Sequence, residues 1–285
     1  YIVSLQNGYY AGINNQVAFT AVYLVLGIMV FTYEPRENKK DRRILRFVIL
    51  SLLWFALVLT NKRSHLLYIF VAMLSVYYAG GIKSKKIDRA LKIIFAIFVM
   101  LVIFYFIANL FPTIPLFSRM LSIFTILTGN TDLNSIFSGR IAIYSQVIDI
   151  FKKNKTFGIG WQNFGTYSRY TSITGGVNQG HNVFLQLLCE TGIVGFCIFM
   201  IINLYYFISN FKINNMIISK KDYQRDKIDM YRKCAIGFMV FYYIFWFSGN
   251  PIYDFTFVYT WVISIMISQS LKQIQYDLSR REMIR

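Results

Sequence analysis

Acidic side chains and histidines are scarce in this chain. Of 285 residues, 13 are Asp or Glu and two are His, His65 and His181. That supply of donors is too small for a convincing zinc or two-metal centre. It also offers no defensible Ser-His-Asp arrangement. No metal and no cofactor is expected. Cysteine is equally thin. Cys189, Cys197 and Cys234 are odd in number and lie in or beside apolar runs, so they imply neither a disulfide framework nor a metal site. They read as small polarizable packing residues. The chain opens on Tyr1 with no cleavable signal pattern ahead of it, and an N-terminal part is expected to be missing. No repeat at solenoid periods is visible, nor the matched pair of broken apolar helices typical of many transporters.

What the chain has in abundance is apolar surface. Hydrophobic residues make up 56% of it, and they fall in long blocks. A helix needs roughly 17–25 apolar residues to cross a bilayer. Seven such runs lie near residues 16–33, 44–60, 64–81, 91–111, 182–209, 234–249 and 252–270. Each is apolar all round rather than striped, as a lipid-embedded helix should be. The expected fold is all-α, a polytopic transmembrane bundle of about seven spans. It divides into N-terminal spans (1–111), a long external loop (112–180), and C-terminal spans with a cytoplasmic tail (181–285).

Net charge is +17, which by itself invites a nucleic-acid reading. The positions of the charges reject it. Of the 30 basic residues, 22 sit in four short segments, 36–46, 83–92, 212–233 and 272–285. If the seven spans alternate, all four fall on one side, and the positive-inside rule makes that side the cytoplasm. The expected location is the cytoplasmic (inner) membrane, with membrane lipid as a partner and the working face outside.

The external segment 112–180 is too long for a passive connection. Within "SGRIAIYSQVIDIFKKN", Ile141, Tyr144, Ile148 and Phe151 recur at helical spacing, so an amphipathic helix is expected there. Ser138 suits its N-cap, and Lys152 and Lys153 suit its C-terminal end. The outer face also carries eight basic residues (Lys62, Arg63, Arg119, Arg140, Lys152, Lys153, Lys155 and Arg169) against Asp132, Asp149 and Asp254. Such a face favours an anionic partner, a phosphate or pyrophosphate. Lys62 and Arg63 occupy a turn of a few residues between two spans. They are either solvated charges snorkelling at the interface or a grip on a lipid-linked phosphate. In "FGIGWQNFG" the glycines lack the spacing and the strand–turn–helix context of a dinucleotide loop, and a tight turn anchored by Trp161 and Phe164 fits better. His181 and Asn182 open the fifth span. A histidine there can take a proton from a hydroxyl, or serve as a capped interfacial residue. Glu190, nine residues on, must face the protein interior and find a partner or be protonated. A structural hydrogen bond outweighs catalysis for it.

Together, "SGRIAIYSQVIDIFKKNKTFGIGWQNFG" and "GHNVFLQLLCETGIVGF" resemble the O-antigen ligase and O-antigen polymerase family of bacterial surface glycan assembly. The carrying residues are Arg140, Gly158, Gly160, Asn163, Phe164, His181, Asn182, Leu185, Gln186, Glu190, Gly192 and Gly195. Upstream, "LTNKRSHLLYIFVAML" resembles the family's step from one span to the next and gives Arg63, although Lys62 and His65 depart from the pattern. The resemblance implies a metal-independent glycosyltransferase with an undecaprenyl-pyrophosphate-linked glycan as donor. It implies His181 as base on the acceptor hydroxyl or as its positioner, and Arg140 and Arg63 as cations on the departing pyrophosphate. Asn182 is implied beside His181 or on sugar; Lys62 is expected at the substrate from the phosphate-grip reading of its turn, not from the resemblance. A chain-length regulator protein is an expected partner and nucleic acid is not. Of the two family activities, polymerase is preferred over ligase, because the Lys-, Asn- and Ile-heavy composition points to an AT-rich genome of the kind in which capsule polymerases are common. The rival from another class is a lipid-linked-glycan transporter. It would need polar residues along a path through the spans, where Glu190 is the one clear charge.

Overall fold

The computed structural model describes residues 4–6, 9–12, 17–35, 40–79, 86–110, 140–168, 179–212, 223–253 and 255–283. A short antiparallel pair, β1 (Ser4–Gln6) and β2 (Tyr9–Gly12), comes first; the other described elements are helical, as expected. Helices follow: α1 (Val17–Tyr33), α2 (Lys40–Leu59), α3 (Arg63–Ala79), α4 (Lys86–Leu110), α5 (Arg140–Lys153), α6 (Phe164–Tyr167), α7 (Val183–Lys212), α8 (Tyr223–Phe245) and α9 (Phe255–Met283).

Among the described residues, each of the seven apolar runs falls largely on a helix. One stretch, Val183–Ser209 of α7, is long and apolar enough to cross a bilayer by length and composition; Val17–Tyr33 and Ser64–Ala79 are shorter apolar helices. Large apolar side chains stand exposed along the helices. Phe47, Leu52 and Phe55 of α2, Leu91, Phe95 and Phe106 of α4, and Ile201 of α7 are all more than 60% accessible. Exposed apolar surface on this scale marks a face meant for lipid or another protein.

Helix ends differ from the sequence reading in an instructive way. α2 begins at Lys40 and α8 at Tyr223, so their charged ends are helical as well. In α8 this end carries charge pairs. Asp229 accepts Arg232 at 2.8 Å and Lys233 at 2.6 Å. Burial works against the Asp229 carboxylate, but these two partners outweigh it and hold it below the ordinary range. The last helix starts at Phe255, because Pro251–Tyr253 forms a 3-10 turn. The fifth run is not one helix. At Gly192 the backbone turns to φ 64, ψ −172, which breaks α7.

The chain forms two compact units: residues 1–83, 202–245 and 254–285, and residues 84–201 with 246–253. The core of the first unit is apolar packing of α1, α2, α3 and α8 through Val25, Met29, Leu57, Ile69, Ala72, Phe241 and Tyr242. His65 belongs to it. The ring is 2% exposed and packs edge-on against Phe245 at 4.8 Å and Phe241 at 5.7 Å. In the second unit Val147, Phe164 and Cys189 form the core, with Ile143, Ile150, Phe151, Ile159 and Leu185 against them. The buried face of α5 is thus Ile143–Val147–Ile150, whereas Ile141 and Ile148, expected on that face, are exposed. Both stripes have helical spacing, and the β-branched Val147 wins because Phe164 packs there.

Gly237 of α8 has no room for a branched side chain. A Cβ there would lie 3.0 Å from Met29 Sδ and 3.5 Å from Val76 Cγ2. Gly237→Val is expected to lower stability by about 1–3 kcal/mol through overpacking, read as a lower Tm in detergent. Gly237→Ala should be much milder, since the Met29 side chain can give way. Equal Tm for both variants would contradict this packing.

Candidate active site

The break in α7 is filled by the loop that precedes it in sequence. Residues 154–164 lie across the break, and four of the hydrogen bonds that join them to it run backbone to backbone. Ile159 N donates to Cys189 O at 3.2 Å and Gly160 N to Glu190 O at 2.8 Å. On the far side, Ile193 N donates to Lys155 O at 2.8 Å and Val194 N to Thr156 O at 3.3 Å. A helix interruption leaves carbonyls and amides without intrahelical partners, and here the loop supplies both kinds.

Two glycines make this approach possible. Gly192 has φ 64, and a Cβ on it would sit 2.2 Å from the Thr156 carbonyl oxygen. Gly158 has φ 69, and its Cβ would meet the Glu190 carbonyl at 2.4 Å. Only glycine fits either place on both conformational and steric grounds.

Glu190 completes the joint. Its side chain is fully buried. One carboxylate oxygen accepts Gln162 N at 2.9 Å; the other accepts Phe164 N at 3.2 Å and Gln186 Nε2 at 2.9 Å. The partner that the sequence required of Glu190 is therefore the loop. Phe164 is pressed into the core next to Cys189, and Asn163 Nδ2 closes the turn onto Ile159 O at 2.9 Å. Trp161 stays half exposed but stacks on Tyr253, with centroids 4.6 Å apart.

A second set of contacts ties the segment 246–250 to the start of α7. Val183 N donates to Trp246 O at 2.9 Å, Asn182 Nδ2 to Phe247 O at 3.2 Å, and Arg140 Nη1 to Ser248 O at 2.9 Å. Asn250 Nδ2 donates to Gln186 Oε1, which also accepts Gly180 N at 2.7 Å. Asn182 Oδ1 caps α7 by accepting Leu185 N at 3.1 Å. Both ends of its side chain are thus engaged within the protein.

His181 sits at this junction. It is exposed, and its backbone is left-handed at φ 49. Such a conformation costs a non-glycine residue roughly 1–2 kcal/mol, and outliers of this kind cluster at functional sites. Tyr144 of α5 holds the His181 carbonyl with its hydroxyl at 3.4 Å. Arg140 lies four residues before Tyr144, on the same face of α5, where Cβ atoms stand about 5–6 Å apart. One face of α5 therefore holds Ser248 with Arg140 and His181 with Tyr144. Arg140, His181 and Asn182 are brought together in the second unit. Lys62 and Arg63 belong to the first. Lys62 precedes α3, its carbonyl accepting His65 N at 3.1 Å and Leu66 N at 3.3 Å, and Arg63 is the first residue of α3. Ser138, Arg119, Arg169, Asp132 and Asp254 lie outside the described residues.

Sequence reasoning missed Tyr144, Asn250 and the role of Gln186. Gln186 could have been found, since a buried amide four residues before Glu190 shares its helix face.

The second unit is a broken apolar helix threaded by a glycine turn, with a histidine and an arginine at its open end. Residues 47–200, just over half the chain, match the O-antigen ligase family, and the chain belongs to that family. Its members are enzymes of glycan transfer, of ligase or polymerase type, in the inner membrane, and they act on lipid-linked glycans. No curated protein matches the chain.

Glu190→Gln keeps the size of the side chain but turns an NH2 group toward a donor. The expected loss is about 1–3 kcal/mol for the amide left without an acceptor, with faster hydrogen exchange at residues 159–164. Gly192→Ala should cost more, since its Cβ meets fixed backbone. Native exchange in both variants would show that the joint does not hold the loop.

Proposed function

We propose that this protein transfers a glycan from an undecaprenyl-pyrophosphate-linked donor to an acceptor sugar hydroxyl on the outer face of the membrane, and that it acts as a polymerase of lipid-linked repeat units. The observation that carries the reading is that one face of α5 reaches both the His181 backbone, through Tyr144, and Ser248, through Arg140, in a chain of the O-antigen ligase family.

In the proposed reaction the acceptor O–H attacks the anomeric carbon of the donor. The proton passes to the His181 imidazole as the new C–O bond forms. The bond from the anomeric carbon to the pyrophosphate oxygen breaks, and its electron pair leaves with the lipid pyrophosphate. Negative charge grows on that group in the transition state, where a donor already aimed at it is most effective. Arg140 has five N–H donors, of which Ser248 O takes one. Its planar fork suits two phosphate oxygens. Arg63 enters the proposal on the resemblance, and Lys62 on its place beside it in a short turn, as further cations for a lipid-linked phosphate. Asn182 supports His181 by capping the helix behind it.

Seven membrane crossings complete the reading. With alternate spans, the four basic connections share the cytoplasmic side and α5 lies outside. An impermeant thiol reagent should then label a cysteine placed at Asn154 and spare one placed at Arg280. The reverse result would sink the orientation.

Glycan extension is assayed with purified protein and donor, by gel or mass analysis of product length. His181→Ala is expected to lower the rate about 10²–10⁴-fold, the usual contribution of a positioned base. Arg140→Lys keeps the charge but loses the fork, and a drop of at least about tenfold is expected. EDTA should leave the rate unchanged. Full activity in both variants would refute the site. Loss on chelation, restored by a divalent metal, would refute the metal-free mechanism. Product on lipid A-core or protein instead of on a lengthened lipid-linked chain would make the enzyme a ligase, and movement of donor across liposomes without extension would make it a transporter.

A further inference from the structure

At the ends of α1 and α2 remote from Arg63, the first unit carries a second concentration of charge. A groove of about 270 Å³ runs between the C-terminal end of α1 and the first turns of α2. Among the described residues that line it, Arg42, Arg43 and Arg46 are basic and Glu34 is acidic, and Phe31 and Ile49 form its apolar wall. Arg46 fixes the shape. Its Nη1 donates to Glu34 O at 2.8 Å and its Nη2 to Thr32 O at 2.7 Å. Those carbonyls close α1, where a helix has no acceptors' partners of its own. The guanidinium is thus pinned across the two helices, at the negative end of the α1 dipole.

From this groove an exposed apolar stripe runs along α2. Leu45, Val48, Leu52 and Phe55 are between 45% and 63% accessible. Their spacing of three, four and three residues places them on one face. Arg42 heads the stripe one turn ahead of Leu45. A cationic groove followed directly by an apolar track is complementary to one kind of molecule, an anionic head carrying long acyl chains.

We propose that this groove binds the phosphate headgroup of an anionic membrane phospholipid, with the acyl chains laid along the exposed stripe of α2. The proposal rests on α1 and α2 being membrane-embedded, as in the reading above, but not on the transfer reaction. Basic pockets at the cytoplasmic ends of membrane helices are suited to such heads, and a basic residue near the headgroup contributes about fivefold in binding, the fold-change equivalent of ~1 kcal/mol.

Native mass spectrometry of the full chain in detergent tests it, with phosphatidylglycerol, phosphatidylcholine and the chain-free headgroup glycerophosphoglycerol as probes. Phosphatidylglycerol is expected to bind at least about tenfold more tightly than phosphatidylcholine. Arg42→Gln/Arg43→Gln should weaken phosphatidylglycerol on the order of 25-fold and leave phosphatidylcholine unchanged. Lys152→Gln/Lys153→Gln, an equal loss of charge in the second unit, should leave both unchanged. Arg42→Gln alone, expected at about fivefold, serves if the double variant fails to fold. Equal affinity for the two lipids, or equal weakening in the two charge variants, overturns the proposal. Tight binding of glycerophosphoglycerol overturns the lipid as occupant and leaves a plain anion site. None of these measurements uses the glycan donor, so their failure is distinct from failure of the transfer assay.

Discussion

A single buried carboxylate organises the second unit. Glu190 lies where α7 breaks, and its two oxygens gather two loop amides and the amide of Gln186. Burying an acid in an apolar helix is expensive unless its hydrogen bonds are complete. Here the helix supplies the charge and the loop supplies the donors, so neither is stable in this form without the other. Through Gln186 the same network reaches Gly180 and Asn250. The residues on either side of His181 are therefore fixed by contacts that begin at the break.

The two units solve the problem of a polar group in apolar surroundings differently. The first buries His65 among aromatic rings, and its core is held by packing. The second relies on backbone: three successive carbonyls, Trp246, Phe247 and Ser248, are taken by the α7 amide, by Asn182 and by Arg140. Such a scaffold can hold His181 in a left-handed conformation, because the strain at one residue is offset by several hydrogen bonds beside it.

Helix positions were largely legible in the sequence, because apolar runs of that length have few other solutions. The break at Gly192 was not. An apolar run reads the same whether or not it is interrupted, and the signal lay in a pairing between distant stretches, Gly158 against Glu190 and Gly192 against Thr156. The motif glycines were visible and their purpose was not, since each is required by the other's backbone. On α5 two stripes competed at the same spacing, and only the burial of Phe164 decides between them. His181, Arg140 and Asn182 could be singled out by residue type and position. Tyr144 could not, because its role depends on which face of α5 meets the start of α7.

The broken helix also has a consequence for biosynthesis. Gln162 N is satisfied by a side chain 28 residues later in the chain, and Phe164 N by the same group 26 residues on. A ribosome makes the glycine turn first and its acceptor well afterwards. Until Cys189 and Glu190 have been synthesised, the amides of Ile159, Gly160, Gln162 and Phe164 lack the partners they have in the fold. The turn therefore cannot settle ahead of α7, and a chain stopped before residue 194 would carry every residue of the loop without all the partners that hold it.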